Sequence, residues 1–151
     1  MESCPFCAIV AGEHAQREEV VYADDDVAAF VCVPSATRGH VLVVPRAHVR
    51  DIWEIGEDTA ARIMRVAHQL AAAMKEALGA EGLNLRQNSG ERAGQDVFHF
   101  HLHLVPRYAD DTVLEGCVWG RPPWQPPPGG RAARLEAARR IRAALPSVTA
   151  G

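Results

Sequence analysis

Apolar positions fall into short blocks over the first 45 residues, then into a helical repeat, then into alternation. Val20-Val21-Tyr22 and Val27-Ala28-Ala29-Phe30-Val31 flank Asp24-Asp25-Asp26, which predicts a hairpin closed by an acidic turn. Residues 34–39 predict a loop, and Gly39 leads into a strand over 40–45. From Gly56 the period changes. Ile63, Val66, Ala67, Leu70, Met74 and Leu78 recur at three- and four-residue spacing, behind Glu57 and Asp58 and ahead of Gly79. That predicts a helix with an acidic first turn and a glycine cap. Residues 83–88 and 98–105 alternate at period two and predict neighbouring strands joined by a glycine-containing loop. Residues 119–130 are rich in Pro and Gly and predict a polyproline-type connection. A last helix is expected from 131 to about 145, with Leu135, Ala138, Ile141 and Leu145 on one face. Strands, a helix, then strands again, with hairpin-length connections, predict an antiparallel α+β fold.

With 151 residues, 48% apolar and 23% charged, the chain has the make-up of one folded domain and not of a disordered segment. A net charge of −3 argues against a general nucleic-acid binder, which would carry a basic stripe. The longest apolar run, Val41 to Val44, is far short of the roughly 20 residues that span a bilayer. Met1-Glu2-Ser3-Cys4 has no basic export-type start, so the expected location is cytoplasmic, with no membrane partner. There Cys4, Cys7, Cys32 and Cys117 read as thiols or metal ligands and not as disulfides. Cys4-x-x-Cys7 is half of a zinc site but also a redox motif, and the βαβ unit that houses the redox version is absent from the pattern.

The most informative stretch is His99-Phe100-His101-Leu102-His103-Leu104-Val105. On a strand, His99, His101 and His103 share one face about 7 Å apart, and Phe100, Leu102 and Leu104 turn into a core. A solvated polar face and a three-histidine metal centre are both compatible with that spacing. So is a site for an anion, since imidazole is both neutral and protonated near pH 7.

The stretch resembles the signature of the histidine triad superfamily, His-φ-His-φ-His-φ-φ with φ apolar, at every position. Cys4-Pro5-Phe6-Cys7-Ala8-Ile9-Val10-Ala11-Gly12-Glu13 is similar to the family's opening segment, and residues 39–48 to its Gly-His…Pro-x-x-His strand. Gln87-Asn88-Ser89-Gly90, Gly94-Gln95 and Pro106-Arg107-Tyr108 extend the resemblance, which spans about residues 4–110 and points to the bacterial branch. It implies a five-stranded antiparallel sheet with two main helices, paired into a homodimer. It further implies a domain over 1–112, with 113–151 packed on it as a tail. The implied activity is attack on the α-phosphate of a nucleotide by His101, giving a nucleotidyl-histidine intermediate. His103 and His40 assist, and Asn88, Gly94 and Gln95 line the phosphate and leaving-group path. A neutral imidazole is a good nucleophile near pH 7, and one difficult displacement becomes two easier ones. By the same resemblance Cys4, Cys7, His48 and His99 hold a structural zinc ion, a closed four-ligand site.

Two positions depart from the family pattern. Cys32 stands where many relatives carry an acidic residue that holds the ribose, and a thiol is a weak partner for a diol. Asp96 stands where relatives carry a small hydroxyl residue near the leaving group. A carboxylate there disfavours an anionic leaving group and suits an amine. The expected substrate is therefore a nucleoside 5′-phosphoramidate or related nucleotidyl compound. Hydrolysis or phosphorolysis of a dinucleoside polyphosphate and non-catalytic nucleotide binding are the alternatives. Arg131, Arg134, Arg139, Arg140 and Arg142 read as a solvated helix face, and His14 and His68 as surface positions. Trp119 and Trp124 either stack on the base or anchor the tail.

Overall fold

The computed structural model describes residues 3–111 and 126–146. Trp119, Trp124, Cys117 and most of the Pro-rich connection lie outside the described residues. Helix α1 (Pro5–Val10) and a 3-10 turn (Ala15–Glu19) precede β1 (Val20–Ala23), β2 (Val27–Val31) and β3 (Val41–Pro45). Then come α2 (Glu57–Leu78), β4 (Gly82–Gln87), a 3-10 turn (Glu91–Ala93), β5 (Leu102–Arg107) and α3 (Gly130–Ala144). The five strands form one antiparallel sheet in the order β1-β2-β3-β5-β4. The expected hairpin, the β4–β5 pair and the α2 helix ending at Gly79 are all present.

Period-two alternation sorts the sheet into two faces. Val27, Ala29, Val31, Val41, Val43, Leu102 and Leu104 pack with Ile63, Val66, Leu70 and Met74 of α2 and Ala138 and Ile141 of α3. Ala28, Phe30, Cys32, Leu42 and Val44 face the other way, onto Phe6 and Ile9 of α1. β2 and β3 are buried throughout because both of their faces are covered. Gly39 has φ +80°, and a Cβ there would collide with the Leu78 side chain, so the 33–39 loop closes on the end of α2 only with glycine.

The structure adds one element to the expected sheet and two main helices, and changes two expectations. α1 makes a third helix among the described residues; only six residues long, it carries too little periodicity to announce itself. The arginine face of α3 is not wholly solvated. Arg134 pairs with the buried Glu19, Arg131 with Glu18, and Arg142 donates to the Glu18 and Val20 carbonyls, pinning α3 to the start of β1. The histidine strand also begins later than its alternation predicts. The β3–β5 ladder stops at the Val43–Leu102 pair, because the Pro45 carbonyl is taken by the His99 imidazole (2.8 Å). Residues 98–101 run on outside the ladder, with the Phe100 amide bonded to the Val49 carbonyl.

Candidate active site and metal centre

The imidazoles divide into two groups. His99 turns toward α1, where its Nδ1 lies 3.4 Å from Cys4 Sγ and 3.5 Å from Cys7 Sγ. His48 Nδ1, just past β3, is 3.4 Å from Cys7 Sγ. Tetrahedral zinc, with bonds of about 2.3 Å to sulfur and 2.0–2.1 Å to nitrogen, sets its ligand atoms about 3.5 Å apart. The four side chains thus fit a closed tetrahedral cage. A carbonyl only accepts, so His99 donates its Nε2–H to Pro45 and turns the Nδ1 lone pair toward the thiols. Burial, a bond to Cys4 and the Cys4 charge push the Cys7 thiol up to about 11. Two thiols so close resist ionising together unless a cation lies between them.

His101 and His103 stand side by side, ring centroids 5.0 Å apart, with His40 against the far side of His103. Their protons follow from three bonds. The Ala36 amide donates to His40 Nδ1 (2.9 Å), so a neutral His40 carries its proton on Nε2. That N–H donates to His103 Nδ1 (2.9 Å), so a neutral His103 is protonated on the nitrogen turned away from His40. His101 donates its Nδ1–H to the His99 carbonyl (2.7 Å), which leaves a lone pair on Nε2. Burial and neighbouring histidines hold His40 and His103 down to about 3. Burial also lowers His101, against the opposing pull of the His99 carbonyl and the Asp96 carboxylate. All three are neutral near pH 7.

Cys32 Sγ lies within 4.8 Å of one ring nitrogen each of His40 and His103, a second grouping of metal-binding atoms. It is a poor cage, since His40 Nε2 carries a proton for as long as Ala36 donates to Nδ1. The three-histidine metal centre has no geometric support among the described residues, because His99 faces the cysteines instead.

Asn88, Gly94, Gln95 and Asp96 follow β4 in the chain, and Cys32 follows β2. Asp96 is exposed, and its Oδ1 lies 3.8 Å from His101 Nε2, too far for a hydrogen bond. Gly94 has φ +87°, and its carbonyl accepts from Asn88 Nδ2 (3.3 Å). Gln95 is buried, and its side-chain amide bonds to the Arg50 and Val97 carbonyls and the Gly90 amide, bracing the loop. Cys32 is buried next to the histidines, with its thiol pushed up to about 12 by burial and the Asp96 charge. Sequence reasoning misses Arg86. It pairs with His103 in the β4–β5 register, and its Nε donates to Asn88 Oδ1 (3.1 Å). The signal is there, since alternation sets Arg86 and Asn88 opposite to Leu83 and Leu85.

Among known proteins, the HIT domain family model matches residues 13–110. The chain belongs to the HIT family. The protein hit of Bacillus subtilis is 37% identical over 118 residues, 78% of this chain and 79% of that protein. The crystal structure of a zinc-bound histidine triad family protein from Mycobacterium smegmatis is similar with a TM-score of 0.78 and 35% identity, covering 94% of this chain and 92% of that one. A hypothetical histidine triad nucleotide-binding protein from Sulfolobus tokodaii reaches a TM-score of 0.78 at 29% identity, covering 93% and 91%. The Bacillus and Mycobacterium relatives set this HIT protein in the family's bacterial branch. In this HIT chain no helix among the described residues is long and apolar enough to cross a membrane.

Proposed function

We propose that this HIT protein binds a nucleotide and cleaves a nucleoside 5′-phosphoramidate, or a related α-phosphate-substituted nucleotide, through a nucleotidyl-histidine intermediate. The observation that carries this reading is the His101 Nδ1–H bond to the His99 carbonyl, which leaves Nε2 as a neutral lone pair. In the first step Nε2 attacks phosphorus, the phosphorus–nitrogen bond breaks, and the departing nitrogen keeps the electron pair and takes up a proton. In the second, water adds to phosphorus and loses a proton, and the phosphorus–Nε2 pair returns to His101. His103 offers an N–H from Nε2 to a phosphate oxygen, held in that tautomer by His40. An amine leaving group gives Asp96 an N–H to accept, whereas a polyphosphate would meet its charge.

Cys4, Cys7, His48 and His99 hold zinc in this reading. Zinc here ties α1 to the sheet, and the same His99 supplies the carbonyl that orients His101. The chain acts as a homodimer joined along β4, an edge strand in which no residue is buried and Leu85 is exposed. Replacing His101 by Ala tests the reading, with an expected fall in kcat of at least about a thousandfold and retained nucleotide binding. A variant with more than about a tenth of the original rate contradicts it.

A further inference from the structure

Resting on the proposed reaction, we infer that Thr37 is a positioning residue for it: its buried hydroxyl ties the 33–39 loop to β5 and so holds the tautomers of His40 and His103. The relay begins in a loop. The β3–β5 ladder pairs Val41 with Leu104 and Leu42 with His103, which sets His40, at the foot of β3, against His103. It does not set the Ala36 amide, which lies four residues before His40 and outside any strand. Two buried hydroxyls place that amide, one on either side of it. Ser35 Oγ donates to the Cys32 carbonyl (2.6 Å), a local bond across three residues. Thr37 Oγ1 donates to the Pro106 carbonyl (2.6 Å), 69 positions away in β5. The Thr37 carbonyl in turn accepts from the His40 amide (3.2 Å), closing a turn with Gly39 at φ +80°. Thr37 is thus joined to Ala36 through the chain, to His40 through its carbonyl and to the strand of His103 through its hydroxyl.

The hydroxyl faces Pro106 and not the rings, so its loss acts through them. The N–H that His103 offers matters most as charge grows on the phosphate, and a tautomer released from the loop weakens that step more than binding. Thr37→Val keeps the shape and removes the donor. Nitrogen-15 spectra at pH 7 and steady-state hydrolysis of adenosine 5′-phosphoramidate read the two consequences. In Thr37→Val the Nε2–H forms of His40 and His103 should give way to a mixture of tautomers, with kcat down about tenfold or more and KM within about twofold. Thr37→Ser restores the donor and should restore both readouts. Thr37→Cys, a weaker donor, should fall between them, and takes the place of Thr37→Val if that variant does not fold. Nitrogen-15 signals unchanged in the variant that lacks the hydroxyl overturn the inference, whatever its rate. So does an equal loss in Thr37→Ser, the mark of a side chain that matters for its shape, and so does a rise in KM at constant kcat. The spectra need no substrate. Altered tautomers in a protein that hydrolyses no phosphoramidate would therefore overturn the phosphoramidase reading and leave Thr37 as the residue that holds the relay.

Discussion

At the scale of single residues the site is a matter of proton placement. One backbone amide, that of Ala36, fixes His40, and His40 fixes His103, while the His99 carbonyl fixes His101 independently. Nitrogen-15 spectra of the imidazoles at pH 7 should report the Nδ1–H form for His101 and the Nε2–H form for His40 and His103. A Nδ1–H signal from His103 would contradict the relay from the Ala36 amide through His40. His40 and His103 should stay neutral well below pH 6, because both are held down to about 3 by burial and neighbouring histidines. The sign follows from the lowered values. Unfolded chain binds these protons from about pH 6.5 downward and folded chain does not, so their effect on stability is absent above that pH and grows adverse as pH falls toward 3. Cys32 adds a cost of its own. Cys32→Asp sets a carboxylate in a buried position already under the Asp96 charge, and thermal unfolding should shift down even where ribose discrimination improves.

At the scale of elements, the hairpin turn is tied to α2 through Asp24. Burial works against its charge, yet bonds from Tyr22, Arg62 and the amides of Asp26 and Val27 bring Asp24 down to about 2. Such a group stabilises the fold above its unfolded value near 4, and the effect is lost as pH falls through 2. Asp24→Asn should cost about 1 kcal/mol at pH 7 after allowance for solvent screening, and the two proteins should converge near pH 2 in urea unfolding. A gap that persists at pH 2 would mean that shape and not charge holds the turn. Helix α1 depends on its metal in the same local way. Protein purified without chelator should carry close to one zinc per chain, and Cys4→Ser with Cys7→Ser should carry none and melt lower by more than about 5 °C. Wild-type protein free of metal would refute the cage. These elements also mark what the sequence discloses. The hairpin, α2 and the β4–β5 pair are legible because their apolar periods run long enough to exceed chance. The true start of β5 is not, because it depends on a side chain 54 positions from its acceptor, His99 on Pro45. His101 and His103 are legible by their alternation, whereas the meeting of His99 with Cys4 and Cys7 and of His40 with His103 depends on how the strands and α1 assemble. Arg86 escapes because alternation gives its face but not the register that sets it opposite His103.

At the scale of the whole molecule, the two edges of the sheet are finished differently. At β1 the Val20 carbonyl is capped by Arg142, whereas β4 carries the exposed Leu85. Sedimentation should therefore give twice the 16.4 kDa chain mass, and Leu85→Glu should weaken the pair. A monomer at all concentrations would remove β4 as an interface. The proposed chemistry turns on one atom, Nε2 of His101. Its most direct test is rapid acid-free quenching of wild-type protein during turnover of an adenosine phosphoramidate, followed by peptide mass spectrometry. The account predicts an added nucleoside monophosphate on the peptide carrying His101, absent from His101→Ala. Steady turnover with no adduct at any time, or an adduct on His99 or His103 instead, would contradict it.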